Sequence, residues 1–145
     1  MGTKVREVMT DRPRCVTLDT PISEAASLME SENIGSLPVL EGEELAGMIT
    51  DRDIVVRAVA KGKDPRGMPV REVVSRELVT VYAEEDLSDA LTKMASEQVR
   101  RLPVVDEDNR LVGILAQADV ALEAKEKTVG EMVEEISRSP SGPRL

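Results

Sequence analysis

Two seven-residue stretches carry the side chains best suited to chemistry. Gly47-Met48-Ile49-Thr50-Asp51-Arg52-Asp53 joins an apolar strand-like run to a helical one, and Gly113-Ile114-Leu115-Ala116-Gln117-Ala118-Asp119 repeats the arrangement. A carboxylate at Asp53 or Asp119 can accept from both hydroxyls of a cis-diol in charge-assisted hydrogen bonds. A helix that opens just after the strand directs unpaired backbone N–H groups at an anion. Glycine in the strand lets a ligand approach the backbone closely. The same spacing also has a structural reading. Thr50 followed by Asp53 makes a capping box, the threonine capping the helix and the acid sitting at its third position. The second copy helps to separate the two, because Ala116 breaks the box while Asp119 remains. That comparison favours a ligand role for the aspartates, with which capping can coexist.

The residue types that are missing narrow the chemistry further. The 145 residues include no histidine and one cysteine, Cys15. A zinc site or a Cys-His nucleophilic pair therefore cannot be assembled, and the commonest general base is absent. No pair of carboxylates stands out for acid–base work, so catalysis is not expected. The net charge of −9 argues against nucleic acid, whose binding needs clustered cations. An anionic ligand would need local positive charge, for which Arg52, Arg100 and Arg101 are the candidates. Tyr82 is the only aromatic residue, so the core must be Val, Leu, Ile, Ala and Met, and any planar ligand must be gripped by aliphatic side chains. With no apolar leader and no run long enough to span a bilayer, the expectation is a cytoplasmic protein that does not enter membranes.

The elements that must position these groups also come twice. Met29 and Met94 lie 65 residues apart (94 − 29), and Gly47 and Gly113 lie 66 apart (113 − 47). Each copy opens on an entry segment, Val5–Thr10 or Val70–Ser75, followed by a branched, strand-like stretch at Cys15–Leu18 or Leu78–Tyr82. Thr20-Pro21 then supplies a cap and a first-turn proline. Ile22, Ala25, Ala26 and Met29 fall on one helical face, as do Leu87, Ala90, Leu91 and Met94. Two hairpins follow, residues 37–40 to 45–49 and 102–105 to 111–115, each leading into a helix near Asp51 or Gln117. This organisation predicts an α/β protein with a first repeat at 4–60, a Gly/Pro linker at 61–69, a second repeat at 70–123, and a helical segment with a flexible tail at 124–145. Val129–Val133 within that tail resembles a third entry segment. Each repeat alone is too small to bury a sufficient core, so the two are expected to pack as a pseudo-two-fold module.

At the two signatures, with the Leu-Pro-Val strands Leu37-Pro38-Val39 and Leu102-Pro103-Val104 before them, the chain resembles a tandem pair of cystathionine-β-synthase (CBS) domains, a Bateman module. The resemblance covers about residues 4–123 and is closest to small stand-alone bacterial proteins made of this pair. It implies β-α-β-β-α repeats with clefts between them that hold AMP, ADP, ATP, S-adenosylmethionine or related ligands. By that resemblance Asp53 would hold the ribose hydroxyls and Thr50 the ribose or phosphate, with Val16, Thr17, Ile34, Gly35, Ser36, Leu37 and Pro38 flanking the base. The second repeat would use Asp119, with Leu78, Val79 and Thr80 and with Val99, Arg100, Arg101, Leu102 and Pro103 around base and phosphate. It departs from the family pattern at Ala116, where Thr or Ser is usual, which removes one hydroxyl. The resemblance also implies a homodimer, and a regulatory module that signals through a separate protein effector without turnover. The alternative is a nucleotide-independent interaction module with empty clefts.

Overall fold

The computed structural model describes residues 2–123. A 3₁₀ turn at Val5–Glu7 and a short strand β1 (Thr10–Asp11) lead into β2 (Val16–Thr17), helix α1 (Ile22–Glu32), the hairpin β3 (Ser36–Glu41) and β4 (Glu44–Thr50), and helix α2 (Asp51–Ile54). The chain continues from α2 as a π-helical turn at Val55–Val59. The second copy runs through a 3₁₀ turn at Val70–Glu72, β5 (Val81–Tyr82), α3 (Leu87–Glu97), β6 (Arg101–Val105), β7 (Leu111–Ala116) and α4, helical over 117–123. The expected third entry segment lies outside the described residues.

Both helices bury one apolar stripe against a sheet: Ile22, Ala25 and Met29 in α1, Ala90 and Met94 in α3. Ala26 and Leu91, expected on the same face, are exposed, so the stripe is narrower than the sequence pattern suggests. Thr20 does not cap α1. Its hydroxyl accepts from the Thr17 N–H at 3.0 Å and closes the turn before the helix, leaving Pro21 at the cap position. Both helices end on a left-handed residue, Asn33 (φ 54°) and Gln98 (φ 56°), whose N–H groups satisfy carbonyls of the last turn. The hairpins match in detail, each with a register irregularity at the same point, between Val39 and Leu40 and between Val104 and Val105.

The strands form two sheets, β2-β3-β4 and β1-β7-β6-β5. The first strand of the four-stranded sheet betrays an exchange. β1 belongs by sequence to the first repeat but pairs antiparallel with β7 of the second, Thr10 opposite Ile114 and Asp11 opposite Gly113. Val5, fully buried, sits in the core built by Val81, Ala90, Met94, Leu102, Val104 and Leu115. Reciprocally, Val70, Val73 and Val74 complete the core of the first repeat beside Val16, Ile22, Leu37 and Ile49. Backbone bonds fix both crossings: Val5 N–H to Glu85 O (3.0 Å) and Arg6 N–H to Ala83 O (2.9 Å), echoed by Val70 N–H to Thr20 O (2.8 Å) and Arg71 N–H to Leu18 O (3.0 Å). Each half thus borrows its lid from the other.

Candidate functional site

The two hairpins lie side by side, joined at their tips. Leu45 N–H donates to Asn109 O at 3.0 Å, Asn109 Nδ2 donates to Leu45 O at 3.1 Å, and Arg110 pairs with Glu43 at 3.4 Å. Their bases, where each second strand turns into a helix, are built alike. Ser36 pairs with Thr50 and Arg101 with Ala116. Asp51 N–H donates to Gly35 O at 2.9 Å, and Gln117 N–H to Arg100 O at 2.8 Å. Between these bases lies a cleft of about 950 Å³ lined by both repeats. Arg101 Nη1 crosses the seam to Ser36 Oγ at 3.4 Å.

Of the residues singled out by sequence, Gly35, Ser36 and Thr50 line the cleft from the first repeat. Val79, Val99, Arg100, Arg101, Leu102, Pro103 and Ala116 line it from the second. Ile34, Leu37, Pro38, Arg52, Asp53, Thr80 and Asp119 are not among its lining residues. Leu37 and Pro38 are buried. Val16 and Thr17 lie instead in a separate groove of about 480 Å³ with Cys15, Thr20 and Glu24. The displacement follows from register: Val16 pairs with Val39 and Val81 with Val104. The counterpart of Val16-Thr17 is therefore Val81-Tyr82, as the 65-residue spacing of Met29 and Met94 also gives (81 − 16), and not the Val79-Thr80 expected from the resemblance.

The first signature folds as a complete capping box. Asp53 N–H donates to Thr50 Oγ1 and Thr50 N–H to Asp53 Oδ2, both at 3.0 Å. The other carboxylate oxygen, Oδ1, lies 3.8 Å from Arg57 Nε. Asp119 has no such partner at Ala116, and its Oδ2 accepts a long hydrogen bond from Thr10 Oγ1 at 3.5 Å. The signature glycines serve the exchange rather than a ligand. A Cβ on Gly47 would come within 2.5 Å of Ser75 O, and one on Gly113 within 2.6 Å of Met9 Sδ and 2.9 Å of Thr10 O. The backbone that approaches closely is thus the borrowed entry segment.

Sequence reasoning passed over several lining residues: Met48, Asp51, Ser75, Glu77, Gln117, Ala118 and Ala121. Asp51 and Gln117 were within reach, since each directly follows the signature's fourth residue and the two differ in charge. Arg100 and Arg101 make no ion pair among the described residues, whereas Arg57, Arg66, Arg71 and Arg110 do. Cys15 is exposed, and partial burial of its thiol raises its pKa, which disfavours the reactive thiolate. Among the described residues no cluster of three or more His, Cys, Asp or Glu could hold a metal ion, and no helix is long and apolar enough to cross a membrane.

Comparison with known proteins agrees with this architecture. The CBS domain family model matches twice, over residues 5–59 and 70–126. The chain is 44% identical over 134 residues to the CBS domain-containing protein YhcV of Bacillus subtilis, covering 92% of this chain and 94% of that protein. Among solved structures it resembles CBSX2 in complex with AMP, with TM-score 0.77 and 27% identity over 88% of this chain and 99% of the other. It also resembles the CBS domain pair of protein MJ0100 in complex with 5-methylthioadenosine and S-adenosyl-L-methionine, with TM-score 0.74 and 28% identity over 88% and 99%. With its two matched repeats, the crossed entry segments and the shared cleft, the chain belongs to the CBS-domain family as a tandem CBS pair.

Proposed function

We propose that this protein is a non-catalytic regulatory module that binds an adenine nucleotide (AMP, ADP or ATP) or S-adenosylmethionine in the cleft between its repeats. The observation that carries the reading is the cleft itself. It takes walls from both repeats, and two arginines without carboxylate partners among the described residues line it. A ligand seated there touches both halves and favours one relative arrangement of them, which is a population shift. The AMP complex of CBSX2 and the 5-methylthioadenosine and S-adenosyl-L-methionine complex of MJ0100 support this class of ligand. The output passes to a separate cytoplasmic effector protein or through assembly.

Assembly as a homodimer is part of the proposal. Val55, Val56 and Val59 are exposed after α2, at 56%, 44% and 57%, and Leu122 is 57% exposed at the position in α4 that matches Val56. Apolar side chains aligned in this way on equivalent helices suit burial against a second copy. The same face favours a second reading, a nucleotide-independent interaction module. A thermal-shift screen against AMP, ADP, ATP and S-adenosylmethionine separates the two. A ligand at 100 times its dissociation constant adds about 2.7 kcal/mol of stability, so a clear rise in Tm with an adenine compound is expected. No shift with any of the four would favour the interaction module.

A further inference from the structure

The cleft's two sides are equivalent in backbone and opposite in charge. The matched positions are Gly35 and Arg100, Ser36 and Arg101, Thr50 and Ala116, and Asp51 and Gln117, paired by strand register and by the two N–H to carbonyl bonds at the hairpin bases. All eight residues line the same cleft. At these positions the first repeat supplies one carboxylate and no cation, while the second supplies two guanidinium groups and no carboxylate. Among the described residues, Glu77 is the one further charged lining residue, contributed by the second repeat. The first side is committed to its carboxylate sterically as well. A Cβ on Gly35 would lie 3.0 Å from Asp51 Oδ2, so the acid fills space beside the position where the second repeat has Arg100. The second side is also the more completely walled, since Leu78, Val79 and Val99 line the cleft whereas their counterparts Pro13, Arg14 and Ile34 do not.

We infer that the two half-sites take ligands of different charge class. The half-site of Arg100, Arg101, Ala116 and Gln117 takes a phosphate-bearing adenosine compound. That of Gly35, Ser36, Thr50 and Asp51 takes an uncharged or cationic adenosyl compound and rejects phosphate. This rests on the proposed adenine-ligand function and assigns its two halves. Arginine pairs its planar fork with phosphate oxygens in charge-assisted bonds, whereas an anion beside Asp51 meets a like charge with no cation at the matched positions to offset it. The hydroxyl missing at Ala116 is therefore compensated on the second side by cations, and the first side, with the complete signature, is the poorer phosphate site. A phosphate on the second side also competes with Ser36 for Arg101, so its arrival alters a contact across the seam.

Calorimetric titration of the full chain with AMP and with adenosine tests the assignment. The wild type is expected to bind one AMP per chain and to prefer AMP to adenosine. Arg100→Gly with Arg101→Ser, which copies the first side into the second, is expected to weaken AMP by about tenfold or more while adenosine changes by less than about threefold. Asp51→Gln, which copies the second side's neutral residue into the first, is expected to raise AMP stoichiometry towards two. Two equal AMP sites in the wild type, or an AMP affinity indifferent to the double substitution, would overturn the inference and leave the adenine-ligand function standing. Binding of neither AMP nor adenosine, with S-adenosylmethionine also silent, would instead remove the function on which it rests.

Discussion

At the residue scale, one side chain can serve two purposes, and the energetics tell them apart. Asp53 closes a capping box with Thr50, whereas Asp119 faces an alanine cap. In the ligand-free protein, Asp53→Ala leaves the Thr50 cap but removes the reciprocal bond from the Thr50 N–H, which should cost about 1 kcal/mol, the net worth of one hydrogen bond, and Asp119→Ala should cost clearly less. Urea denaturation of the two variants measures this, and equal losses would contradict the capping account. The sequence showed both roles for Asp53, because a capping box and a ribose-binding carboxylate need the same spacing, and only the second copy, with Ala116 at the cap, tilted the reading towards a ligand. In the structure both bonds of the box are formed, Asp53 N–H to Thr50 Oγ1 and Thr50 N–H to Asp53 Oδ2. The glycines were harder to read. A small residue in a strand announces a close neighbour without naming it, and the neighbour of Gly47 is the carbonyl of Ser75, far from it in the repeat pattern.

At the element scale, the hairpins and helices were legible because their patterns are strong: alternation in the strands, polar turns between them, and methionines at matching places on the helices. The exchanged entry segments were not. Val5–Thr10 and Val70–Ser75 look alike, so local sequence cannot say which copy covers which core. The exchange makes a graded prediction about the signature glycines. Gly47→Ala drives a Cβ into the backbone carbonyl of Ser75 at 2.5 Å, whereas Gly113→Ala first meets the sulfur of Met9, a side chain able to turn aside, and then the backbone carbonyl of Thr10 at 2.9 Å. Overpacking a filled core typically costs about 1–3 kcal/mol. Gly47→Ala should fall at or above the top of that range and Gly113→Ala below that value, as read from shifts in unfolding midpoint. The reverse order would contradict the packing described for the entry segments. The equivalence of Val16 and Val81, by contrast, was legible: they lie 65 residues apart (81 − 16), as Met29 and Met94 do, and pairing with β3 and β6 agrees.

At the scale of the whole molecule, crossed entry segments bind the two repeats into one cooperative unit. Each repeat has its own buried cluster, yet neither is complete without residues from the other. Tyr82, the only aromatic residue, lies in the second repeat, so its fluorescence reports that half while far-UV circular dichroism reports both. The two signals should give coincident unfolding curves, the mark of a two-state transition, and separated curves would contradict a shared fold. Val5→Ala, a change in the first repeat's sequence, should destabilise the whole by about 2 kcal/mol, since two methyl groups leave a fully buried position in the second core. The central claim is that the cleft between the repeats is the place where an adenine ligand acts. The most direct test is a ¹H–¹⁵N NMR titration of the full chain with AMP. The account predicts the largest shifts at the amides of Arg100, Arg101, Ala116 and Gln117, with the groove residues Thr17 and Ser27 unmoved. Shifts confined to that groove, or none at millimolar AMP, would contradict it.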